Sequence, residues 1–148
     1  MSAGTRAHTV QPAQGHVADL GIIHMRLLAA AEQTGRSFTL AEFSGGEGPW
    51  TVPHIHRAME ESFYVLEGNF IFKVGDETIQ AGRGAYILVP RGTPHMLEAG
   101  PGDGKFLTFM VPGGLEDMFL ELAKLPPDSL RNPEVRAAIA ARYDSVPA

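Results

Sequence analysis

Three histidines and one glutamate in this 148-residue chain have the side-chain types and the spacing of a metal site. His54, His56 and Glu61 lie within eight residues, and His95 follows the turn sequence Pro-Arg-Gly-Thr-Pro. Imidazole nitrogens combined with a carboxylate oxygen suit a divalent first-row transition metal. If the four side chains converge, the chain binds one such ion, and the ligand types leave its identity open among iron, manganese, nickel, cobalt, copper and zinc.

The spacing of these residues favours convergence. Residues two apart in a strand point to the same side, so His54 and His56 can project together, and Glu61 begins the next strand candidate. Four protein ligands would close a tetrahedral zinc site, whereas a six-coordinate ion would keep two positions for water, dioxygen or substrate. An enzyme built on this set is therefore expected to use the larger coordination number.

Composition excludes several other functions. The chain has no cysteine, which rules out disulfides, thiolate metal sites and cysteine nucleophiles. Its net charge is −5 with scattered lysines and arginines, so nucleic-acid binding is not expected. No apolar run approaches the roughly 20 residues that span a membrane, and the N-terminus lacks a signal-peptide pattern. We therefore expect a cytoplasmic protein with a small-molecule partner.

The segments that must position the ligands are predicted to be short strands. Aromatic and β-branched runs separated by Gly and Pro predict an all-β sandwich or barrel in one domain. The strand candidates are 22–28, 37–43, 62–66, 69–74, 77–80, 85–89, 95–98 and 105–111. Residues 1–18 are predicted to be a flexible arm, 19–112 the barrel and 113–148 a helical extension.

Helical spacing appears only in that extension. One helix is predicted over about 114–124, ended by Pro126-Pro127, and a second runs from Asn132-Pro133 to about 143. We expect both helices to pack outside the barrel as structural elements. The alternative is that they cover one mouth of the barrel or form a dimer interface.

Two segments of the chain resemble the two motifs of the cupin superfamily. The first motif, Gly-X5-His-X-His-X3–4-Glu-X6-Gly, is matched from Gly48 to Gly68. The second, Gly-X5-Pro-X-Gly-X2-His-X3-Asn, is matched from Gly84 to His95, although Ala99 stands in place of the final Asn. The resemblance implies an antiparallel β-barrel of the jelly-roll kind. It also implies a metal held by the two His of the first motif, its Glu, and the His of the second.

The motif permits two glutamates, since Glu60 and Glu61 both fit its variable gap. The six residues between the Glu position and Gly68 favour Glu61 as the ligand, with Glu60 pointing outward. Trp50, Phe70, Phe72 and Met96 are the side chains predicted to line a substrate pocket.

The stretch from Pro112 to Phe119 resembles the tail of bacterial quercetinase-like cupins. The resemblance implies a dioxygenase acting on an enolic or phenolic small molecule, with Glu61 as both ligand and catalytic base. The alternatives are a non-oxidative isomerase, lyase or polyketide cyclase, in which the metal polarises a carbonyl, and a binding protein without turnover. Cupins commonly pair, so the resemblance also implies a homodimer.

Overall fold

The fold is described for residues 6–148 from a computed structural model. Twelve strands lie in these residues: β1 His16–Asp19, β2 Ile23–Ala29, β3 Thr39–Gly45, β4 Gly48–Pro49, β5 His54–Ile55, β6 Glu60–Glu67, β7 Phe70–Val74, β8 Glu77–Ala81, β9 Tyr86–Val89, β10 His95–Ala99, β11 Gly104–Val111 and β12 Val146–Pro147. Four α-helices accompany them: α1 Ala31–Thr34, α2 Glu116–Ala123, α3 Pro127–Arg131 and α4 Pro133–Ala140.

The strands form two sheets that face each other, and every pairing within them is antiparallel. One sheet has the order β1-β2-β3-β11-β6-β9, and the other has the order β12-β5-β10-β7-β8 with β4 paired to β10. Neighbours in each sheet are therefore often distant in sequence, as when β11 lies between β3 and β6. The predicted all-β jelly-roll architecture is confirmed.

Alternation along the strands divides core from surface. In β6, Glu61, Phe63 and Val65 are buried, whereas Tyr64 is exposed. The inward rings form one cluster in which Phe106 lies 5.1 Å from Phe63, between ring centroids. Burying a side chain of this size stabilises a fold by roughly 1.5–3 kcal/mol, so this cluster stabilises the sheets against each other.

The hairpin at Gly68 shows why a motif glycine is required there. Its φ is +79°, a conformation that side chains disfavour. A Cβ at this position would also lie 2.6 Å from the carbonyl oxygen of Asp103. Because both constraints act together, the turn between β6 and β7 accepts glycine only, and the register of both strands depends on it.

Three segments differ from the sequence prediction. Residues 16–18, assigned to the flexible arm, belong to β1, an edge strand whose mostly exposed side chains show no hydrophobic pattern. The connection between the predicted strands 22–28 and 37–43 contains helix α1, which ends at Gly35 with a φ of +61°. Pro127, predicted as a stop, also begins α3, because proline is well suited to the first helical turn.

The C-terminal segment returns to the barrel. After α4 and a 3-10 turn over Ala141–Tyr143, β12 pairs with β5. None of the helices within residues 6–148 combines the length and hydropathy needed to cross a membrane.

Candidate metal centre

The four predicted ligands lie together on the inner side of the barrel. His54 in β5 is paired directly with His95, the first residue of β10. His56 follows β5 immediately, and Glu61 is the second residue of β6 in the facing sheet. One potential ligand atom from each residue lies within 4.8 Å of the others. Residues from both sheets therefore meet at a single point.

The turn before His95 is tied to the segment that carries the other histidines. Gly92 donates a hydrogen bond from its N–H to the carbonyl of His56 over 2.7 Å. Its φ of +76° favours glycine at this position. The Pro-X-Gly spacing of the second motif thus fixes the distance between His56 and His95.

A main-chain carbonyl orients each histidine ring. In every case the ring atom Nδ1 lies 2.7–2.9 Å from a carbonyl oxygen: His54 with Val52, His56 with Asp144, and His95 with Thr93. Carbonyl oxygens only accept hydrogen bonds, so each Nδ1 carries the proton. In the neutral rings, Nε2 therefore presents a lone pair, which is the arrangement typical of metal-ligating histidines.

The Nε2 atoms of His56 and His95 face the Glu61 carboxylate. Glu61 Oε1 lies 3.4 Å from Nε2 of His95 and 3.6 Å from Nε2 of His56. His56 Nε2 is buried and has no hydrogen-bond partner among the described residues. Ligand atoms about 2.1 Å from a shared ion stand roughly 3 Å or slightly more apart, so the observed separations fit a divalent transition metal.

The protonation states of His54 and Glu61 also suit a bound cation, whereas His56 must lose its proton to bind one. Burial, followed by repulsion from His95, lowers the pKa of His54 to about 4, so this ring is neutral at physiological pH. Burial lowers the pKa of His56 as well, but the adjacent Glu61 carboxylate outweighs it and leaves that pKa above its usual value. Burial raises the pKa of Glu61, yet the adjacent His56 and His95 rings outweigh it and hold that pKa well below the ordinary range.

Glu61, and not Glu60, belongs to the cluster. Successive residues of β6 point to opposite sides, and Glu61 is the inward one with 7% of its surface exposed. Glu60 is half-buried at the start of the same strand and contributes no ligand atom. Strand alternation thus distinguishes Glu61, which faces the cluster, from Glu60, the other glutamate that the motif permits.

A cavity of about 290 Å³ adjoins the cluster, and His54, His56 and Glu61 form part of its wall. Most of the remaining wall is apolar and comes from two parts of the fold. The barrel contributes Phe43, Trp50, Phe63, Leu97 and Phe106, and the C-terminal extension contributes Leu115, Met118, Phe119, Leu122 and Ala140. The helices therefore cover one side of the barrel opening, which is the alternative considered above for their role.

Of the four side chains predicted to line the pocket, one lines this cavity. Trp50 is in its wall. Phe70 and Phe72 point inward as expected, but they pack into the aromatic core and are each 1% exposed. Met96 lies between the buried residues His95 and Leu97, so alternation turns it to the other side of β10. The predicted pocket is corrected accordingly.

Two residues of the site carry a weak sequence signal or none. Asp144 follows the last helical turn, and its contact with His56 depends on how the C-terminal segment folds back. Thr108 occupies an inward position of β11 and lines the cavity. A polar residue at an inward position of a predicted strand is a weak signal that pointed to Thr108, and nothing pointed to Asp144.

Comparison with known proteins agrees with this geometry. The Cupin domain family matches residues 40–112, which include both motifs. The chain is 31% identical over 97 residues to quercetin 2,3-dioxygenase from Bacillus subtilis, and 32% identical over 119 residues to the protein of that name from Aspergillus japonicus. These alignments cover 66% and 74% of this chain but 29% and 33% of the two relatives. The chain thus spans about a third of the length of these curated relatives.

A solved structure agrees in fold. KdgF from Halomonas sp. superposes with a TM-score of 0.67 at 18% sequence identity. The match covers 76% of this chain and 99% of that one. At this identity the likeness concerns the fold alone.

Proposed function

Because the chain belongs to the cupin superfamily, we propose that it is a metal-dependent, quercetinase-like dioxygenase that acts on an enolic or phenolic small molecule. The observation that carries this proposal is the position of the His and Glu cluster in the wall of an apolar cavity. The similarity to two quercetin 2,3-dioxygenases supports the same reaction class. A substrate in the cavity would lie directly against the proposed ligands.

In this proposal His54, His56, Glu61 and His95 hold one divalent transition metal. Such an ion would supply Lewis acidity and, if redox-active, electron transfer to dioxygen. The carbonyls behind the three rings keep every Nε2 directed at the same point, so the ligand set is preorganised. The identity of the ion is a matter for elemental analysis of the purified protein.

Glu61 is proposed to act as base as well as ligand. Its carboxylate lies in the cavity wall beside the histidines and is 7% exposed. A hydroxyl group of a bound molecule that reaches the cluster would therefore come within range of a carboxylate oxygen that can accept its proton. The apolar walls around it would exclude water from that transfer.

The walls also favour a flat substrate. Trp50, Phe63 and Phe106 present aromatic surface to the cavity. Aromatic rings stack on one another in offset or edge-to-face geometry, which suits a planar ring system. A flavonol such as quercetin is the first compound to test, because it combines planar rings with an enolic hydroxyl.

We also propose that the protein is a homodimer in the cytoplasm. Tyr64, Tyr86, Leu88 and Phe109 are 40–61% exposed on the outer face of one sheet, beside the edge strand β9. Exposed apolar groups next to an unpaired strand edge favour association. Light scattering during size exclusion should give twice the chain mass, and Tyr86→Glu should give a monomer.

The decisive experiment is turnover of quercetin with and without dioxygen. We expect the purified protein to consume the flavonol and dioxygen together in air and to be inactive under nitrogen. Equal turnover under nitrogen would favour an isomerase, lyase or cyclase instead. Binding without turnover in either condition would favour a non-catalytic binding protein.

A further inference from the structure

We infer that Thr108 is a ligand-binding residue whose hydroxyl hydrogen-bonds an oxygen atom of the molecule that fills the cavity. This inference rests on the proposed function and narrows its substrate class. The molecule would be flat and mostly apolar, with one oxygen directed at the His and Glu cluster and a second at Thr108.

The Thr108 hydroxyl has no partner in the fold. Thr108 lies at an inward position of β11, between β3 and β6, and is 1% exposed. It lines the cavity, and its Oγ1 makes no hydrogen bond to any described residue. A buried hydroxyl without a partner destabilises a fold, whereas valine has almost the same shape and no such cost. A hydroxyl at this place therefore suits a bound molecule better than it suits the fold.

Thr39 is a buried threonine with a structural role, and its hydroxyl has hydrogen-bond partners in the fold. It is fully buried in β3, the strand next to β11. Its Oγ1 donates to the Glu116 carboxylate over 2.6 Å and accepts the Gly114 N–H over 3.1 Å. The contrast indicates that buried threonine hydroxyls here are satisfied when they serve the fold, and that Thr108 differs.

Two other polar side chains of the cavity wall, those of Trp50 and Thr51, have hydrogen-bond partners in the fold. Trp50 donates its ring N–H to the carbonyl of Gly46 over 2.8 Å. Thr51 Oγ1 accepts the N–H of Leu97 over 3.0 Å. Thr108 differs from both in having no hydrogen-bond partner among the described residues, and it is paired with Phe63 across the sheet.

Strand register sets the distance between the two polar ends of the ligand. Met110 is paired with Glu61, and Thr108 is paired with Phe63, so Thr108 lies two residues from Glu61 along the sheet. Two residues of an antiparallel strand span about 7 Å. Oxygens at opposite ends of a two-ring aromatic system have a comparable separation.

Calorimetric titration with two naphthalenes tests this inference. 2,6-Dihydroxynaphthalene carries both oxygens and 2-naphthol carries one, and titration of the purified protein under nitrogen prevents oxidation. In the native protein the second hydroxyl should strengthen binding by about two- to tenfold, the contribution of one hydrogen bond. Thr108→Val should abolish this difference, and Thr108→Ser should retain it.

Two outcomes of the titration would overturn the inference. The first is an equal preference for the diol in the native protein and in Thr108→Val. The second is failure of the native protein to bind either compound, since the cavity would then not admit a flat oxygenated molecule.

Thermal unfolding provides a second measurement that does not depend on the ligand. Thr108→Val should leave the melting temperature unchanged or raise it, whereas Thr39→Val should lower it. A clear fall for Thr108→Val would reveal a structural partner for the hydroxyl and would contradict the inference.

The inference and the proposed function can fail separately. Thr108-dependent binding of the diol without flavonol turnover would leave the inference standing and reject the dioxygenase. Flavonol turnover with the same KM in Thr108→Val and in the native protein would support the dioxygenase and reject the role of Thr108 in binding.

Discussion

The main-chain carbonyl of Asp144 accepts a hydrogen bond from Nδ1 of His56 over 2.8 Å. The Asp144 carboxylate also accepts the N–H groups of Arg57 and Ala58, each over 2.9 Å. One residue near the C-terminus therefore holds both a proposed metal ligand and the segment that follows it. Asp144 lies outside the residues that match the cupin family, so this support comes from the extension of this chain.

Asp144→Asn should weaken metal binding by about tenfold, because it loosens the segment that follows His56 while the main-chain carbonyl that contacts His56 remains. Asparagine tolerates the φ of +60° at this position, but its side chain has one oxygen for two N–H donors. Calorimetric titration with Zn²⁺ measures the change. Asp128→Asn, at an exposed carboxylate paired with Arg131, is the matched control and should bind zinc normally. Native affinity in Asp144→Asn would show that the Asp144 carboxylate does not support the site.

His56→Ala should reduce bound metal to a small fraction of the native content, because it removes a buried Nε2 that has no other partner. Elemental analysis measures the content, and far-ultraviolet circular dichroism should show an intact barrel. His24→Ala is a suitable control, since His24 is half-exposed and faces Asp19, away from the cluster. Unchanged metal content in His56→Ala would refute its assignment as a ligand.

Glu61→Gln should reduce turnover by about 10²-fold or more, since general-base catalysis typically contributes that much. Metal content should fall far less, because the amide oxygen can still coordinate. Glu60→Gln is an informative control one residue away, since Glu60 contributes no ligand atom. If activity and metal content declined in parallel in Glu61→Gln, the side chain would be a ligand without a role as base.

Metal affinity should fall as the pH is lowered, because protons compete with the ion for the histidines. The raised pKa of His56 means that this ring gains a proton on acidification before His54 does. His54, with a pKa of about 4, stays neutral until much lower pH. Below the His56 pKa we therefore expect about a tenfold loss of Zn²⁺ affinity per pH unit, the slope for one competing proton.

Titration with Zn²⁺ at several pH values tests this slope. A loss approaching a hundredfold per unit near neutral pH would mean that two rings titrate together. That result would contradict the slope expected for one competing proton.

The sequence was sufficient to predict the barrel and the cluster because both depend on local patterns. Strands such as Phe70–Val74 and Gly104–Val111 begin and end within one residue of their predicted bounds. The motif spacing placed His54, His56, Glu61 and His95 at one centre, since turns such as Pro-X-Gly fix the backbone between them.

The cavity could not be predicted in the same way. Alternation indicates which side chains point inward, but it does not distinguish those that border empty space from those in close packing. Phe72 and Phe63 both point inward, and only Phe63 borders the cavity. That difference depends on where α2, α3 and α4 lie over the barrel, a long-range relationship that no local pattern encodes.

Trp50 gives the protein a built-in optical reporter. It is the single tryptophan of the chain, it lines the cavity, and its ring packs edge-on against Phe70 at 5.1 Å. Its fluorescence should therefore change when a molecule enters the cavity. If that molecule absorbs near the tryptophan emission band, energy transfer should also quench the fluorescence. Occupancy can be followed in the unlabelled protein, so compound collections can be screened before any reaction is known.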